Sequence, residues 1–301
     1  MSEAPDMNRP NPLLGQDDAL PEGVLSPFDG NEDSGEVLKL LGLPDGKGLG
    51  QKKDISTPDG AGPRVLETLT RVSEALDIAA DTGRAWRYRL DHLGTEEHFT
   101  FLDALGRGEV SIVVAGDDRE GEAQIYETVL PGVWVGQAND REGEVAAHWV
   151  EVGSAPRVLR EMAYRRPRED FPIEMLSAPS GAMNVMSVLA EVRTRMHEWR
   201  EGMPNHVMNF TLFPMTPADS AYLAKVVGEV GVRISSGGYG AARVIMTGLR
   251  HVWAVQYLNG LGAVILDTLE IGDIPDAVLA SEEDFQDSAG RLRDMLEAYT
   301  P

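Results

Sequence analysis

From Pro63 onward, hydrophobic positions recur with helical spacing. Val65, Leu69, Val72, Leu76 and Ala79 share one face of a predicted helix that Pro63 starts and Gly83 ends. Trp86-Arg-Tyr-Arg-Leu90 alternates as a strand. Thr95 and the acidic pair Glu96-Glu97 then open a helix through Phe101 and Leu105, stopped at Gly106. Three strand-like runs follow: Val110–Ala115, Ala123–Gln137 with a bend at Pro131-Gly132, and Val145–Val152. A helix from Pro156 to Tyr164 closes the series.

The second half repeats this order. Val185, Leu189, Val192, Met196 and Trp199 copy the first helix at an offset of 120, and Gly228, Val232 and Ile234 match Gly106, Val110 and Ile112 at 122. At 119, Thr128 and Trp134 fall on Thr247 and Trp253. Gln137 falls on Gln256, Glu151 and Gly153 on Glu270 and Gly272, and Pro156 on Pro275. Apolar matches arise by chance, but Trp, Gln, Glu-x-Gly and Pro in one frame do not. The expected fold is α+β: two tandem diverged repeats, each α-β-α-β-β-β, arranged as a pseudo-twofold pair. The expected boundaries are a leader at 1–62, a first repeat at 63–181, and a second repeat with a C-terminal helix at 182–301. Ser281 and Asp284 cap that last helix, and Phe285, Leu292, Met295, Leu296 and Tyr299 form its apolar face.

Residues 1–62 lack this periodicity. They hold seven prolines and twelve acidic against five basic residues, a composition that cannot bury enough apolar surface to offset chain entropy, so a disordered or extended leader is expected. Its one apolar segment, Gly35 to Gly42, reads as a short helix that docks on the body or on a partner, the body being favoured.

Composition narrows the functional classes. The 49 acidic and 27 basic residues give a formal charge of -22, which disfavours nucleic acid and anionic lipid and suits solubility or a basic partner. With no cysteine there is no disulfide, thiolate metal site or thiol nucleophile. The N-terminus carries no signal-peptide pattern and no run approaches the length of a membrane span, so a soluble cytoplasmic protein is expected. The six histidines form no H-x-x-x-H or H-E-x-x-H pair, no G-x-S-x-G elbow occurs, and no acid/base couple stands out. No enzyme, cofactor or metal is expected.

The candidate binding residues lie in the second half. Asn259-Gly260 between two apolar runs predicts a type I′ hairpin. Trp253, Val255 and Tyr257 share one face of its first strand; Gln256, on the other, is a buried amide that needs partners. The loop Ser235–Gly240 precedes a strand rather than a helix, so it reads as a turn presenting Tyr239, not as a phosphate cradle. Tyr239, Arg243, Trp253, Gln256, Tyr257 and Asn259 are the expected partner-binding residues.

Four segments carry a family resemblance: His206–Pro214, Gly238–Arg243, Val252–Asn259 and Leu269–Pro275. They resemble the HupH/HyaF/HoxQ type of NiFe-hydrogenase expression and formation protein. Pro217-Ala-Asp219, and in the first half Gly108–Ile112 and Glu127–Trp134, are similar to it as well. The resemblance implies an accessory chaperone for hydrogenase maturation. Its client would be the iron–sulfur small-subunit precursor before twin-arginine export, with a thioredoxin-like companion chaperone. The alternative is a metal- or cofactor-handling factor acting on the large subunit. Where the family pattern commonly continues Gly-Tyr-Gly with Asn-Cys, this chain has Ala241-Ala242, which favours protein binding over thiol chemistry.

Overall fold

The computed structural model describes residues 61–116, 121–165, 167–173, 176–213, 215–237 and 241–298. The leader to residue 60, with its Gly35–Gly42 segment, and Tyr239 lie outside the described residues. The elements run α1 (Pro63–Thr82), β1 (Trp86–Arg89), α2 (Thr95–Leu105), β2 (Val110–Val114), β3 (Ala123–Glu127), β4 (Val133–Asn139), β5 (Val145–Val152) and α3 (Arg157–Arg165). Then come α4 (Val185–Glu198), β6 (His206–Asn209), α5 (Pro217–Val227), β7 (Glu229–Ser236), β8 (Ala242–Thr247), β9 (Val252–Leu258), β10 (Val264–Ile271), a 3-10 turn (Asp276–Val278) and α6 (Glu282–Glu297).

All ten strands join one antiparallel sheet in the order β1-β5-β4-β3-β2-β7-β8-β9-β10-β6. Read from either edge, the order visits corresponding strands. At the centre, Ile112 on β2 pairs with Ile234 on β7, its own counterpart at the offset of 122. Trp134 on β4 faces Glu151 on β5 as Trp253 on β9 faces Glu270 on β10. Gly106 and Gly228 both sit at φ 60 with ψ near -172, a region open only to glycine.

One expectation is corrected. The run Ala123–Gln137 is two strands, so each unit carries five strands rather than four. The Thr128 hydroxyl accepts from the Leu130 N–H at 3.2 Å and Gly132 takes φ 81, which folds the chain back within an apolar stretch. Thr247 and Leu249 repeat the hydroxyl contact at 3.1 Å.

One face of the sheet carries α1, α2 and α6 over the first half and α4 and α5 over the second; the other carries α3 and the 3-10 turn, with Trp134, Trp149 and Trp253 beneath them. The chain crosses over to close both halves. Helix α6 follows the second half but buries Phe285, Leu292 and Met295 against α1, while Ser288 and Arg291 donate to the carbonyls of Pro131 and Val129 at 2.9 Å. The segment after α3 follows the first half but buries Phe171 and Leu176 against α4, and the Arg168 N–H donates to the Gly248 carbonyl at 2.8 Å. Gly248 is the counterpart of Val129.

Candidate partner-binding surface

The β9–β10 and β4–β5 hairpins share one loop geometry. Asn259 Oδ1 accepts from the Leu261 and Ala263 N–H groups at 2.9 Å, and the Asn259 N–H donates to the Ala263 carbonyl. Asp140 does the same with Glu142 and Glu144 at 3.0 and 2.9 Å. The left-handed residue is Gly262 (φ 78) in one and Gly143 (φ 85) in the other. The expected two-residue type I′ turn at Asn259-Gly260 is therefore corrected to a five-residue loop. It forms because the Asn259 side chain satisfies the loop amides and Gly262, not Gly260, takes the positive φ.

The two tips differ in what they present. Residues 141–144 read Arg-Glu-Gly-Glu; residues 260–263 read Gly-Leu-Gly-Ala. Leu261 is 94% exposed, and Val264 and Ile265 beside it are also exposed. The chain after β6 brings up Leu212, 83% exposed, and Phe213. Two hydrogen bonds hold that loop to β10: Phe210 N–H to the Asp267 carbonyl at 2.8 Å, and Asp267 N–H to the Thr211 hydroxyl at 2.9 Å. Five large apolar side chains thus meet solvent at one corner of an acidic protein. Patches of this kind mark interaction surfaces, since leaving one side chain in water forgoes about 1.5–3 kcal/mol of burial.

The expected binding residues converge on the same half. Arg243, Gln256 and Asp267 align across β8, β9 and β10. Gln256 is 5% exposed; the amide oxygen of its counterpart Gln137 accepts from His148 Nε2 at 3.0 Å. Trp253 is 2% exposed, packed beneath α3 and the 3-10 turn, so it supports the strand and is itself out of a partner's reach. Tyr257 is half-buried on that face; burial first, then the charges of Glu270 and Asp276, push its hydroxyl up. Asn259 closes the exposed tip. Sequence reasoning missed Leu212, Phe213, Leu261, Val264 and Ile265. The available signals were a Leu-Phe pair in a loop before proline and a leucine between two glycines at a turn, where polar residues are usual.

The nearby carboxylates are structural. Asp219, fully buried, is pushed up by burial, yet three amides leading into α4 (Met183, Asn184 and Val185, 2.8–2.9 Å) and the N–H and hydroxyl of Thr216 hold it at about 2. It fastens the N-termini of α4 and α5 together. Its counterpart Glu97 does this more loosely, accepting from the Gly94 N–H at 2.9 Å and lying 3.6 Å from Arg64. Among the described residues no group of three or more His, Asp or Glu is placed to hold a metal ion, and no helix is long and apolar enough to cross a membrane.

Fold and surface together define, over the described residues, an α+β protein with one ten-stranded antiparallel sheet, an acidic exterior and an apolar hairpin corner. A family model described as the HupH hydrogenase expression protein, C-terminal conserved region, matches residues 63–166 and 182–299, one stretch in each half. The chain is 45% identical over 238 residues to the hydrogenase expression/formation protein HupH of Rhizobium leguminosarum bv. viciae, covering 78% of this chain and 82% of the relative. It is 33% identical to the hydrogenase expression/formation protein HoxQ of Cupriavidus necator, over 92% and 96%. Against the hydrogenase-1 operon protein HyaF of Escherichia coli it is 30% identical, over 78% and 81%. The chain belongs to the HupH hydrogenase expression protein family.

Proposed function

We propose that this protein is a cytoplasmic, non-enzymatic accessory chaperone of NiFe-hydrogenase maturation, built from two copies of one α+β unit about a pseudo-twofold axis. Its client is the iron–sulfur small-subunit precursor before twin-arginine export, with a thioredoxin-like companion chaperone as second partner. The observation that carries this reading is the apolar corner of Leu212, Phe213, Leu261, Val264 and Ile265 on a chain of charge -22. A targeting segment with a basic start and an apolar middle fits both features. The long-range field speeds encounter, and the apolar corner supplies affinity. Arg243, Gln256, Tyr257 and Asn259 frame the corner, and Tyr239 is kept as a further contact on the sequence reading alone.

The test is capture of the purified small-subunit precursor, its signal-less form and the large subunit by the full chain. Precursor alone should be retained. Association should slow as salt shortens the Debye length from about 8 Å toward 3 Å, and Leu261→Asp should abolish retention. Retention of the large subunit alone would move the client to the nickel–iron side; retention of neither by folded protein would end the reading.

A further inference from the structure

The two copies provide differently for one buried carboxylate. Glu151 on β5 stands directly across from Arg87 on the edge strand β1, whose guanidinium also lies 4.1 Å over the Trp149 ring. The Arg157 N–H, at the start of α3, donates to Glu151 Oε1 at 2.6 Å. A cation and a backbone donor thus compensate a side chain that is 1% exposed.

Glu270 holds the equivalent place on β10, 7% exposed. Across from it on the opposite edge strand, β6, is Val207, half exposed to solvent, where the first copy has arginine. The counterpart of Arg157 is Asp276, which adds negative charge. Asn205 donates to Glu270 Oε2 at 3.3 Å, and Oε1 receives no hydrogen bond among the described residues. Burial first, and then Asp276, push Glu270 up. This carboxylate therefore carries the desolvation cost of a buried charge without the cation its counterpart has.

The strand beside it is also open among the described residues. There β6 pairs only with β10, and its residues His206-Val-Met-Asn209 bear no arginine or lysine, whereas β1 carries Arg87 and Arg89. Charged side chains are the usual protection of an edge strand, and an edge without them accepts an added strand.

We propose that Glu270 is the receptor for an arginine side chain delivered by a partner segment lying along β6, so that the partner supplies in the complex what Arg87 supplies within the first copy. The proposal rests on the reading that this half of the molecule is the client surface, and it names the chemistry that the surface selects. Charge complementarity chooses the occupant: a basic extended segment, drawn by the field of the whole chain and held by a guanidinium that finds a preformed, uncompensated carboxylate.

The experiment uses the full chain, a short synthetic peptide with adjacent arginines, and the same peptide with citrulline in their place. The arginine peptide should bind at least about tenfold more tightly than the citrulline peptide. Glu270→Gln should reduce it to the citrulline level while leaving the thermal midpoint unchanged or raised. Val207→Arg should place a guanidinium over Glu270 in cis. It should then block the peptide and raise the midpoint, and the rise should vanish in the Glu270→Gln background. Equal binding of the two peptides, unchanged binding by Glu270→Gln, or a Val207→Arg stabilisation indifferent to Glu270 each overturns the proposal. Failure here is distinguishable from failure of the client assignment. Loss of precursor capture in Leu261→Asp but not in Glu270→Gln leaves the client and removes the arginine receptor. Arginine-selective peptide binding without precursor capture does the reverse.

Discussion

The two halves share a backbone plan, and the same structural problem is solved in each with different side chains. Where α1 and α2 begin, Glu97 joins the helix starts from a partly exposed position; where α4 and α5 begin, Asp219 does so fully buried. Where the first copy has Gly132 at φ 81 beneath the ring of Phe285, the second has His251 at φ 63, its own ring 4.4 Å from Trp199 and 5.5 Å from Tyr164. An aromatic ring fills the corner in both copies. In the first it arrives from α6 and demands a glycine below it; in the second it is attached to the strained residue itself. What diverges is the surface: charge at the first hairpin tip and edge strand, apolar side chains at the second.

Asp219→Ala should give the largest effect, because it orphans buried amides at two helix starts: a loss of about 3–5 kcal/mol in denaturant unfolding. Glu97→Ala should cost only about 0.5–1 kcal/mol, the value of an exposed cap. The pH dependence separates them further. Asp219 is held below its unfolded value, so its contribution is complete above about pH 4 and lost as pH falls through about 2. Wild type should lose about 2 kcal/mol over that range and Asp219→Asn much less. Equal costs for the two alanine variants would mean that the copies anchor their helices alike.

Gly132→Ala should follow at about 2–3 kcal/mol, since a Cβ there would lie 2.4 Å from Phe285 on a backbone that already disfavours it. His251→Ala, losing only ring contacts, should cost about 1 kcal/mol. If the alanine at Gly132 proves the milder change, α6 yields, and the two corners are less alike than the contacts indicate.

Such pairs also show how far the chain could be read from its residues. The repeat is legible because tryptophan, glycine and the Glu-x-Gly step recur in one frame, and these residues have few substitutes at a strand core, a left-handed turn and a helix entry. The fold-back at Thr128–Gly132 is not, because its apolar residues run on through a turn closed by one hydroxyl. The crossed closure by α6 and by Arg168, Phe171 and Leu176 is equally silent, since periodicity tells that a helix has an apolar face but not which half of a sheet receives it. At the proposed binding surface, Asn259 and Gln256 are visible as polar residues in apolar surroundings. Leu261 is not, because a lone leucine gives no hint that it will be left in solvent.

Glu127, half-buried on β3, is the position where the second copy has the apolar Met246. Burial, opposed by the Gly132 N–H and aided by Asp284 and Glu109, pushes its carboxyl up to about 7. A raised carboxyl contributes its stability below the unfolded value near 4.5 and loses it as pH rises through about 7. Glu127→Gln keeps the acceptor for Gly132 and removes the titration. It should match wild type near pH 4 and exceed it by about 1–2 kcal/mol at pH 8.5. A difference independent of pH would show that the carboxyl is solvated and that the comparison with Met246 misleads.

The smallest effect on stability should come from exchanging the hairpin tips, and it bears most directly on function. Gly260→Arg, Leu261→Glu and Ala263→Glu together give the second loop the side chains of the first, leaving Asn259 and the left-handed Gly262 in place. Because Asn259 closes its loop with the contacts Asp140 makes, the backbone has no reason to change, and the thermal midpoint should stay within about 2 °C, as surface substitutions away from caps and cores do. Client capture should disappear, since the exchange removes the most exposed leucine and sets two carboxylates beside Val264 and Ile265. The reciprocal graft, Arg141→Gly, Glu142→Leu and Glu144→Ala, controls for tip chemistry alone. If it creates capture at the first copy, an apolar hairpin suffices. If it does not, the surroundings of the second tip (Leu212, Phe213 and the open edge of β6) are required as well. Undiminished capture after the first exchange, in protein with an unchanged midpoint, would place the client elsewhere on the molecule.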